Sequence, residues 1–112
     1  MTLTLFRIDI FSKQPYMLKD FYEQALDLKL SYSSPDESSF EFTVGNIKLV
    51  ISKSPIEVKN KIRISLFTAE YKSYRLALAA KNIEITATKV KEGRFFFEVK
   101  DPDGNEVAIY QL

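Results

Sequence analysis

The side chains in this sequence that could do chemistry are arginines and carboxylates, because the chain has no histidine and no cysteine. Without those two residue types there is no conventional catalytic triad, no thiolate nucleophile and no disulfide. Two arginines recur in matching surroundings: Arg7 begins RIDIFS at residues 7–12, and Arg63 begins RISLFT at residues 63–68. Guanidinium groups stay charged and form forked hydrogen bonds, so the pair predicts anion binding or ion pairs.

The residues around each arginine alternate between polar and apolar, as in a half-buried strand. The first strand is expected over residues 3–11 and its repeat over residues 61–67. On the face away from the apolar residues, each strand carries an arginine, then a small polar residue, then a phenyl ring: Arg7, Asp9 and Phe11; Arg63, Ser65 and Phe67. The repeat therefore predicts two strands that present the same kind of surface.

A helix is predicted after each of these strands. Pro15 suits the first turn of a helix, and the inward positions at helical spacing are Leu18, Phe21, Tyr22 and Ala25. The second helix is predicted from about Glu70 to Lys81, and its inward positions are Tyr74, Ala77 and Leu78.

Three more strands are predicted after each helix. They lie at residues 28–33, 38–44 and 46–53 in the first half and at residues 83–88, 93–100 and 105–111 in the second. An internal repeat of this length fixes the architecture before any local detail does. The sequence therefore predicts an α+β fold of two tandem βαβββ modules in a single domain, with module one at about residues 1–56 and module two at about 57–112.

The overall composition argues against several classes of protein. Sixteen basic and fifteen acidic residues leave a net charge of +1, which gives no general attraction to nucleic acid or to anionic lipid. No apolar run approaches the roughly 18 residues of a membrane span, and the N-terminal residues lack the pattern of a signal peptide. Three glycines cannot supply a phosphate-binding loop. We expect a cytoplasmic protein that binds neither nucleic acid nor membranes.

The turns before the last strand of each half also match, since VGNIKLVI and DGNEVAIY both place Gly-Asn between apolar runs. The second turn is the fuller DPDGN at residues 101–105, in which Asp101 and Asp103 could suggest calcium. A calcium loop needs ligands at several alternating positions and a distal glutamate, whereas here a strand begins at once. We interpret both aspartates as turn residues.

These features resemble the vicinal oxygen chelate superfamily, which includes glyoxalase I, ring-cleaving dioxygenases and bleomycin-resistance proteins. The most specific pieces are FYEQALDLKLSYS after the first strand and the C-terminal DPDGNEVAIYQL. The resemblance implies that the two modules form a curved mixed-sheet cup with the helices on its outer face. Where the family usually has glycine at the end of the first helix, this chain has Asp27, and Asn82 takes the same place after the second helix. Both residue types tolerate the left-handed conformation that such a helix end requires.

The same resemblance implies where a metal would bind. Metal-dependent members hold one divalent ion through residues of the first and last strands of each half, usually His and Glu. The matching positions here are Arg7, Arg63, Ala108, and Val50 or, in a shifted register, Lys48. None of these is a normal ligand for a divalent ion. We therefore expect no metal and no other cofactor, and the missing ligands argue against a metal-dependent lyase or dioxygenase.

Two interpretations of the arginines remain open. In the first they pair with carboxylates on neighbouring positions, for which Asp9, Glu98 and Glu106 are available. Arg7 is then expected to be held more firmly, because Asp9 lies two residues away and the matching residue beside Arg63 is Ser65. In the second they bind an anionic or polar small molecule between aromatic walls. The residues expected to line such a site are Arg7, Asp9, Phe11, Val50, Arg63, Phe67, Phe96, Glu106, Ala108 and Tyr110.

The expected function is metal-free binding of a small molecule, as in bleomycin-resistance proteins, by a homodimer. No catalytic residue is predicted, although a metal-free acid or base step by Asp9 or Glu106 stays open. A carboxylate beside a fixed positive charge makes a weak base, so a binding protein is favoured over an enzyme. Two alternatives remain: a metal-dependent lyase or dioxygenase of the same superfamily, against which the missing ligands argue, and a degenerate dimeric module that is structural or only binds a partner.

Overall fold

The computed structural model describes residues 1–112, which divide into two compact units, Met1–Lys59 and Asn60–Leu112. We call them module one and module two. Each contains a four-stranded mixed sheet and one main helix in the order strand, helix, three strands. The predicted α+β fold of two tandem βαβββ modules is confirmed. None of the helices combines the length and the apolar character needed to cross a lipid bilayer.

Module one contains four strands and a helix: β1 (Arg7–Ser12), α1 (Pro15–Asp20), β2 (Lys29–Ser33), β3 (Ser39–Val44) and β4 (Ile47–Lys53). The sheet order is β1-β4-β3-β2, with β1 parallel to β4 and the other pairs antiparallel. A π-helical turn, Phe21–Ala25, extends α1. The inward positions Leu18, Tyr22 and Ala25 are buried as predicted, and Phe21 is half-buried.

Module two repeats this plan with β5 (Arg63–Thr68), α2 (Tyr71–Ala80), β6 (Lys89–Lys91), β7 (Arg94–Lys100) and β8 (Glu106–Gln111). The sheet order is β5-β8-β7-β6, with β5 parallel to β8. On α2, Leu78 is buried and Tyr74 half-buried, but the prediction that Ala77 points inward is wrong, because Ala77 is exposed. The inward stripe of α2 runs through positions 71, 74 and 78, and position 77 lies beside this stripe.

The two helix ends follow the predicted geometry. Asp27 has φ +56° and Asn82 has φ +59°, so both adopt the left-handed conformation without glycine. Just beyond them, the amide of Leu28 donates to the carbonyl of Tyr22 at 3.0 Å, and the amide of Ile83 donates to that of Leu78 at 3.1 Å. These bonds satisfy carbonyls at the helix ends and turn the chain back toward its sheet.

The predicted strand at residues 83–88 is wrong, because pairing with β7 begins only at Lys89. Thr86 explains the interruption. Its amide donates to the Glu98 carbonyl at 3.1 Å, and its side-chain Oγ1 accepts the Glu98 amide at 3.1 Å. A side-chain oxygen thus replaces a backbone carbonyl as the acceptor, and the regular ladder does not form at this edge.

Each sheet has one apolar face and one polar face, and the helix of each module packs on the apolar one. The Tyr22 ring contacts Phe42 at a centroid distance of 6.3 Å, and the Tyr71 ring contacts Phe97 at 5.3 Å. Successive side chains along a strand point to opposite faces. Arg7 and Arg63 therefore lie on the faces opposite the helices.

Candidate functional site

The polar face of module two gathers six of the residues predicted to line a site. Strand register pairs Arg63 with Glu106 and Phe67 with Tyr110, while Phe96 lies opposite Tyr110 on β7. Ala108 lies between Ser65 and Glu98 and is fully buried. We use the name "polar face of module two" for the outward positions of β5, β8, β7 and β6: Arg63, Ser65, Phe67, Lys89, Lys91, Arg94, Phe96, Glu98, Lys100, Glu106, Ala108 and Tyr110.

Arg63 is the centre of an ion-pair network on this face. Its Nη1 donates to Glu106 Oε2 at 2.7 Å and also to a carboxylate oxygen of Glu98. Lys89 Nζ reaches the other Glu98 oxygen at 2.8 Å. Glu98, whose side chain is only 14% exposed, is thus held between Lys89 on the adjacent strand β6 and Arg63 on β5, which lies on the other side of β8.

The network shifts the ionisation of its members in opposite directions. Hydrogen bonds from Lys89 and Arg63 lower the pKa of Glu98 to about 2. The Glu98 carboxylate in turn raises the pKa of Arg63, with a further contribution from Glu106. Glu98 therefore stays ionised over the whole physiological range, and it is not a proton acceptor for a catalytic step.

Aromatic rings continue the polar face beyond the network. Phe96 and Tyr110 stack with centroids 4.7 Å apart and an interplanar angle of 21°, and Phe67 meets Tyr110 at 5.8 Å. The guanidinium of Arg63 lies 5.9 Å from the Phe96 centroid, so the network and the rings are contiguous. Phe67 is 63% exposed, so much of its ring is accessible to a ligand.

A cleft of about 210 Å³ opens beside these rings and is lined by Ser65, Leu66, Phe67, Lys91, Glu92, Arg94 and Tyr110. The guanidinium of Arg94 lies over the Phe67 ring at 4.8 Å. The sequence analysis missed Lys91 and Arg94. Strand alternation could have found Arg94, since it lies two residues before Phe96. A second cleft of about 270 Å³ runs along the β7 edge and includes Glu84, Thr86 and Lys100.

Module one carries the other four predicted site residues on its own polar face. Arg7 donates from Nε to both Asp9 carboxylate oxygens at 3.0 Å and from Nη2 to Oδ1 at 2.7 Å. The two side chains are 44% and 36% exposed, so water screens this pair. Val50 lies opposite Asp9 and is buried, whereas Phe11 is exposed.

The polar face of module one lacks the aromatic cluster of module two. The register positions that match Phe96 and Tyr110 are Ser39 and Ser52, which face each other with their hydroxyl oxygens 3.4 Å apart. A small hydroxyl offers no wall for an apolar ligand. The two repeats therefore share a backbone plan but not a surface.

A divalent metal does not fit the positions that the superfamily uses. In module two, Arg63 is positively charged and committed to two glutamates, and Ala108 has no donor atom. In module one, Arg7 is bound to Asp9, Val50 offers only carbon, and Lys48 is a cation. A guanidinium or an ammonium repels a cation and has no lone pair to donate.

Comparison with known proteins places the chain in a family. The profile of the Glyoxalase/Bleomycin resistance protein/Dioxygenase superfamily matches residues 4–109. The chain belongs to this superfamily. No curated protein sequence matched it.

Solved structures with this fold differ widely in what their names say they do. Lactoylglutathione lyase from Agrobacterium tumefaciens superposes with a TM-score of 0.82 at 15% identity, over 98% of this chain and 94% of that one. TnmS3, an antibiotic binding protein from Streptomyces sp. CB03234, superposes with a TM-score of 0.83 at 17% identity, over 98% of this chain and 96% of that one. Oxidase ChaP-H2 superposes with a TM-score of 0.84 at 12% identity, over 100% of this chain and 95% of that one. These likenesses show the fold alone, and function has to be argued from the site.

Proposed function

We propose that this member of the superfamily binds a small organic molecule without a metal ion. The observation that carries the proposal is the state of Arg63, which occupies a position where metal-dependent relatives place a ligand. Its guanidinium is held by Glu98 and Glu106. Freeing that position for a metal would break two ion pairs and still leave a positive charge beside the ion.

The surroundings of Arg63 support binding. The adjoining cleft combines aromatic walls from Phe67 and Tyr110 with the cations Lys91 and Arg94. Apolar walls with a few polar groups that fix orientation are typical of small-molecule sites. TnmS3, which is named as an antibiotic binding protein, has the same fold, and a binding role is compatible with that fold.

The metal-free part of the proposal is tested by elemental analysis of protein purified without a metal-binding tag. We expect no stoichiometric nickel, zinc, iron or manganese, no rise in melting temperature when any of these ions is added, and no glyoxalase activity. A lactoylglutathione lyase treated in parallel is the positive control. About one ion per chain, removable by a chelator with loss of folding or activity, would contradict the proposal.

The binding part is tested by a thermal-shift screen against chemically diverse small molecules, followed by calorimetry of the hits. A ligand that binds the folded state raises the melting temperature in proportion to its concentration and affinity. A complete lack of ligands would favour a module that only binds a macromolecular partner.

We also propose that the chain forms a homodimer and works in the cytoplasm. The support for a dimer is apolar surface outside the core of module one, at Leu3, Leu5 and Phe6, which are all exposed. Exposed apolar residues in a contiguous segment mark a surface that a partner covers. The cytoplasmic location rests on the sequence expectation.

A further inference from the structure

The cleft beside Phe67 contains two cations that form no ion pair. Elsewhere on the polar face of module two, Arg63 and Lys89 are paired with glutamates. Lys91 and Arg94 line the cleft together with Glu92, and neither of the two cations forms an ion pair. Two cations against one carboxylate leave the cleft with a net positive charge that an anionic ligand would neutralise.

The hairpin between β6 and β7 fixes the position of these two cations. Glu92 has φ +53° and Gly93 has φ +76°, which is the backbone of a two-residue type I′ turn. Lys91 and Arg94 are the register pair that closes this turn, so their side chains leave the same face directly opposite each other. Two donors at this spacing can share one carboxylate.

A cation–π contact further restricts the arginine. The central guanidinium carbon of Arg94 lies over the Phe67 ring, 4.8 Å from its centroid. This contact uses no N–H group, so the N–H groups of Arg94 stay available for hydrogen bonds to a carboxylate. Arg94 is thus prepared to bind an anion before the ligand arrives.

The walls of the cleft favour an anion that carries a flat aromatic ring system. Phe67 meets Tyr110 at 5.8 Å and an angle of 60°, which leaves ring surfaces that a further ring can contact edge-on or in an offset stack. The volume of about 210 Å³ lies below the roughly 300 Å³ at which drug-sized sites begin, so the ligand has one or two rings.

We propose that the cleft binds a small planar aromatic carboxylate, with its ring against Phe67 and Tyr110 and its carboxylate on Arg94 and Lys91. This inference rests on the proposed binding function and assigns a chemical class to the ligand. It also moves the anion-binding role from Arg7 and Arg63, whose donors already serve carboxylates of the protein, to two residues in the β6–β7 hairpin.

The test is calorimetric titration of the full chain with 2-naphthoate and two matched probes. 2-Naphthamide keeps the rings and removes the charge, and cyclohexanecarboxylate keeps the charge and removes the aromatic system. We expect 2-naphthoate to bind and each of the other probes to bind at least about tenfold more weakly. The amide loses the charge-assisted hydrogen bonds to Arg94 and Lys91, and the cyclohexane ring loses the aromatic contacts with Phe67 and Tyr110.

Two variants and two controls locate the site. Arg94→Gln and Phe67→Leu should each weaken 2-naphthoate binding about tenfold or more. Arg75→Gln removes another guanidinium that lies over a ring, that of Phe97 at 5.6 Å on the helix side, and Leu76→Ala removes an exposed apolar side chain on α2. Both controls should bind 2-naphthoate like the unaltered chain.

Nuclear Overhauser contacts between 2-naphthoate and the Tyr110 ring in the unaltered protein test the same site without any substitution. The inference is overturned if 2-naphthoate does not bind, if 2-naphthamide binds as well, or if Arg94→Gln and Phe67→Leu bind unchanged. Failure of 2-naphthoate together with other hits in the thermal-shift screen rejects this ligand class and leaves the proposed function standing. A thermal-shift screen without any hit rejects both this ligand class and the proposed binding function.

Discussion

Arg7 and Arg63 occupy the same place in two copies of one module, yet their surroundings differ. Arg7 bonds only to Asp9 on its own strand, and both side chains are open to water. Arg63 has no acidic residue on its own strand, but Glu98 and Glu106 reach it from β7 and β8. The expectation from sequence that Arg7 is the more firmly held is therefore reversed. Spacing in the sequence identifies ion-pair partners on the same strand, but it does not identify partners that other strands of the sheet contribute.

The repeat supplies a matched pair of substitutions that measures this difference. Arg63→Met should lower the free energy of unfolding by about 1 to 2 kcal/mol, because it leaves Glu98 with one cation instead of two. Arg7→Met should have a smaller effect, since its pair is exposed and screened. Urea unfolding gives both values, provided that the slope with urea is unchanged. An equal or larger loss for Arg7→Met would show that the Arg63 network contributes no special stability.

Glu98 gives the network a pH signature. Its pKa is lowered to about 2 in the folded chain from an ordinary value of 4.5. A lowered folded-state pKa stabilises the protein above the ordinary pKa, and that contribution is lost as the pH falls from about 5 toward 2. Glu98→Gln should therefore be less stable than the unaltered chain at pH 7, by about 1 to 2 kcal/mol after allowance for screening.

The decisive measurement is how this difference changes with pH. Urea unfolding at neutral pH and at about pH 3 should show the stability of the unaltered chain approaching that of Glu98→Gln in acid. Glu57→Gln is the control, because Glu57 is exposed and belongs to no ion pair. A difference between Glu98→Gln and the unaltered chain that stays constant with pH would mean that Glu98 acts by packing and not by charge.

At the scale of elements, hydrophobic periodicity predicted seven of the eight strands and both helices, because most strands here have one apolar and one polar face. The first strand begins at Arg7, four residues later than predicted. The segment at 83–88 failed for a local reason. Thr86 bonds to Glu98 through its side chain, an interaction that periodicity cannot register. Pairing with β7 is thereby confined to Lys89–Lys91.

That short strand matters because its turn positions the proposed ligand donors. Glu92 adopts a positive φ, which is uncommon for a residue with a Cβ, next to Gly93, which adopts it readily. The dipeptide EG between lysine and arginine was a readable turn signal, but the sequence analysis left Glu92 in connecting chain and placed Gly93 at the start of the strand predicted over residues 93–100. The polar face was thus predictable from strand alternation, whereas the cleft depended on a turn type and on which charges remain unpaired.

At the scale of the whole molecule, the superfamily and its repeat were predictable because they rest on long sequence patterns; the family match spans residues 4–109. The function could not be predicted in the same way. Proteins with this fold include one named as a lyase, one named as an oxidase and one named as antibiotic binding, so the fold alone does not determine the function. The proposed absence of a metal rests on a few positions, at which this chain has arginine, valine and alanine.

The assembly of the whole molecule is a prediction in its own right. Leu3, Leu5 and Phe6 are 99%, 62% and 69% exposed, and the Phe6 carbonyl accepts the Lys48 amide at 2.9 Å, which ties this apolar segment to the β4 strand. An ordered apolar surface of this kind favours association, and a symmetric pair is the commonest closed assembly. Light scattering should give twice the chain mass of 12.9 kDa throughout the micromolar range. Leu5→Ser combined with Phe6→Ser should shift the protein toward monomer, whereas Leu76→Ser, at a residue 72% exposed on α2, should not. A monomer mass for the unaltered chain would refute the dimer, and a dimer insensitive to the double substitution would place its interface on another surface.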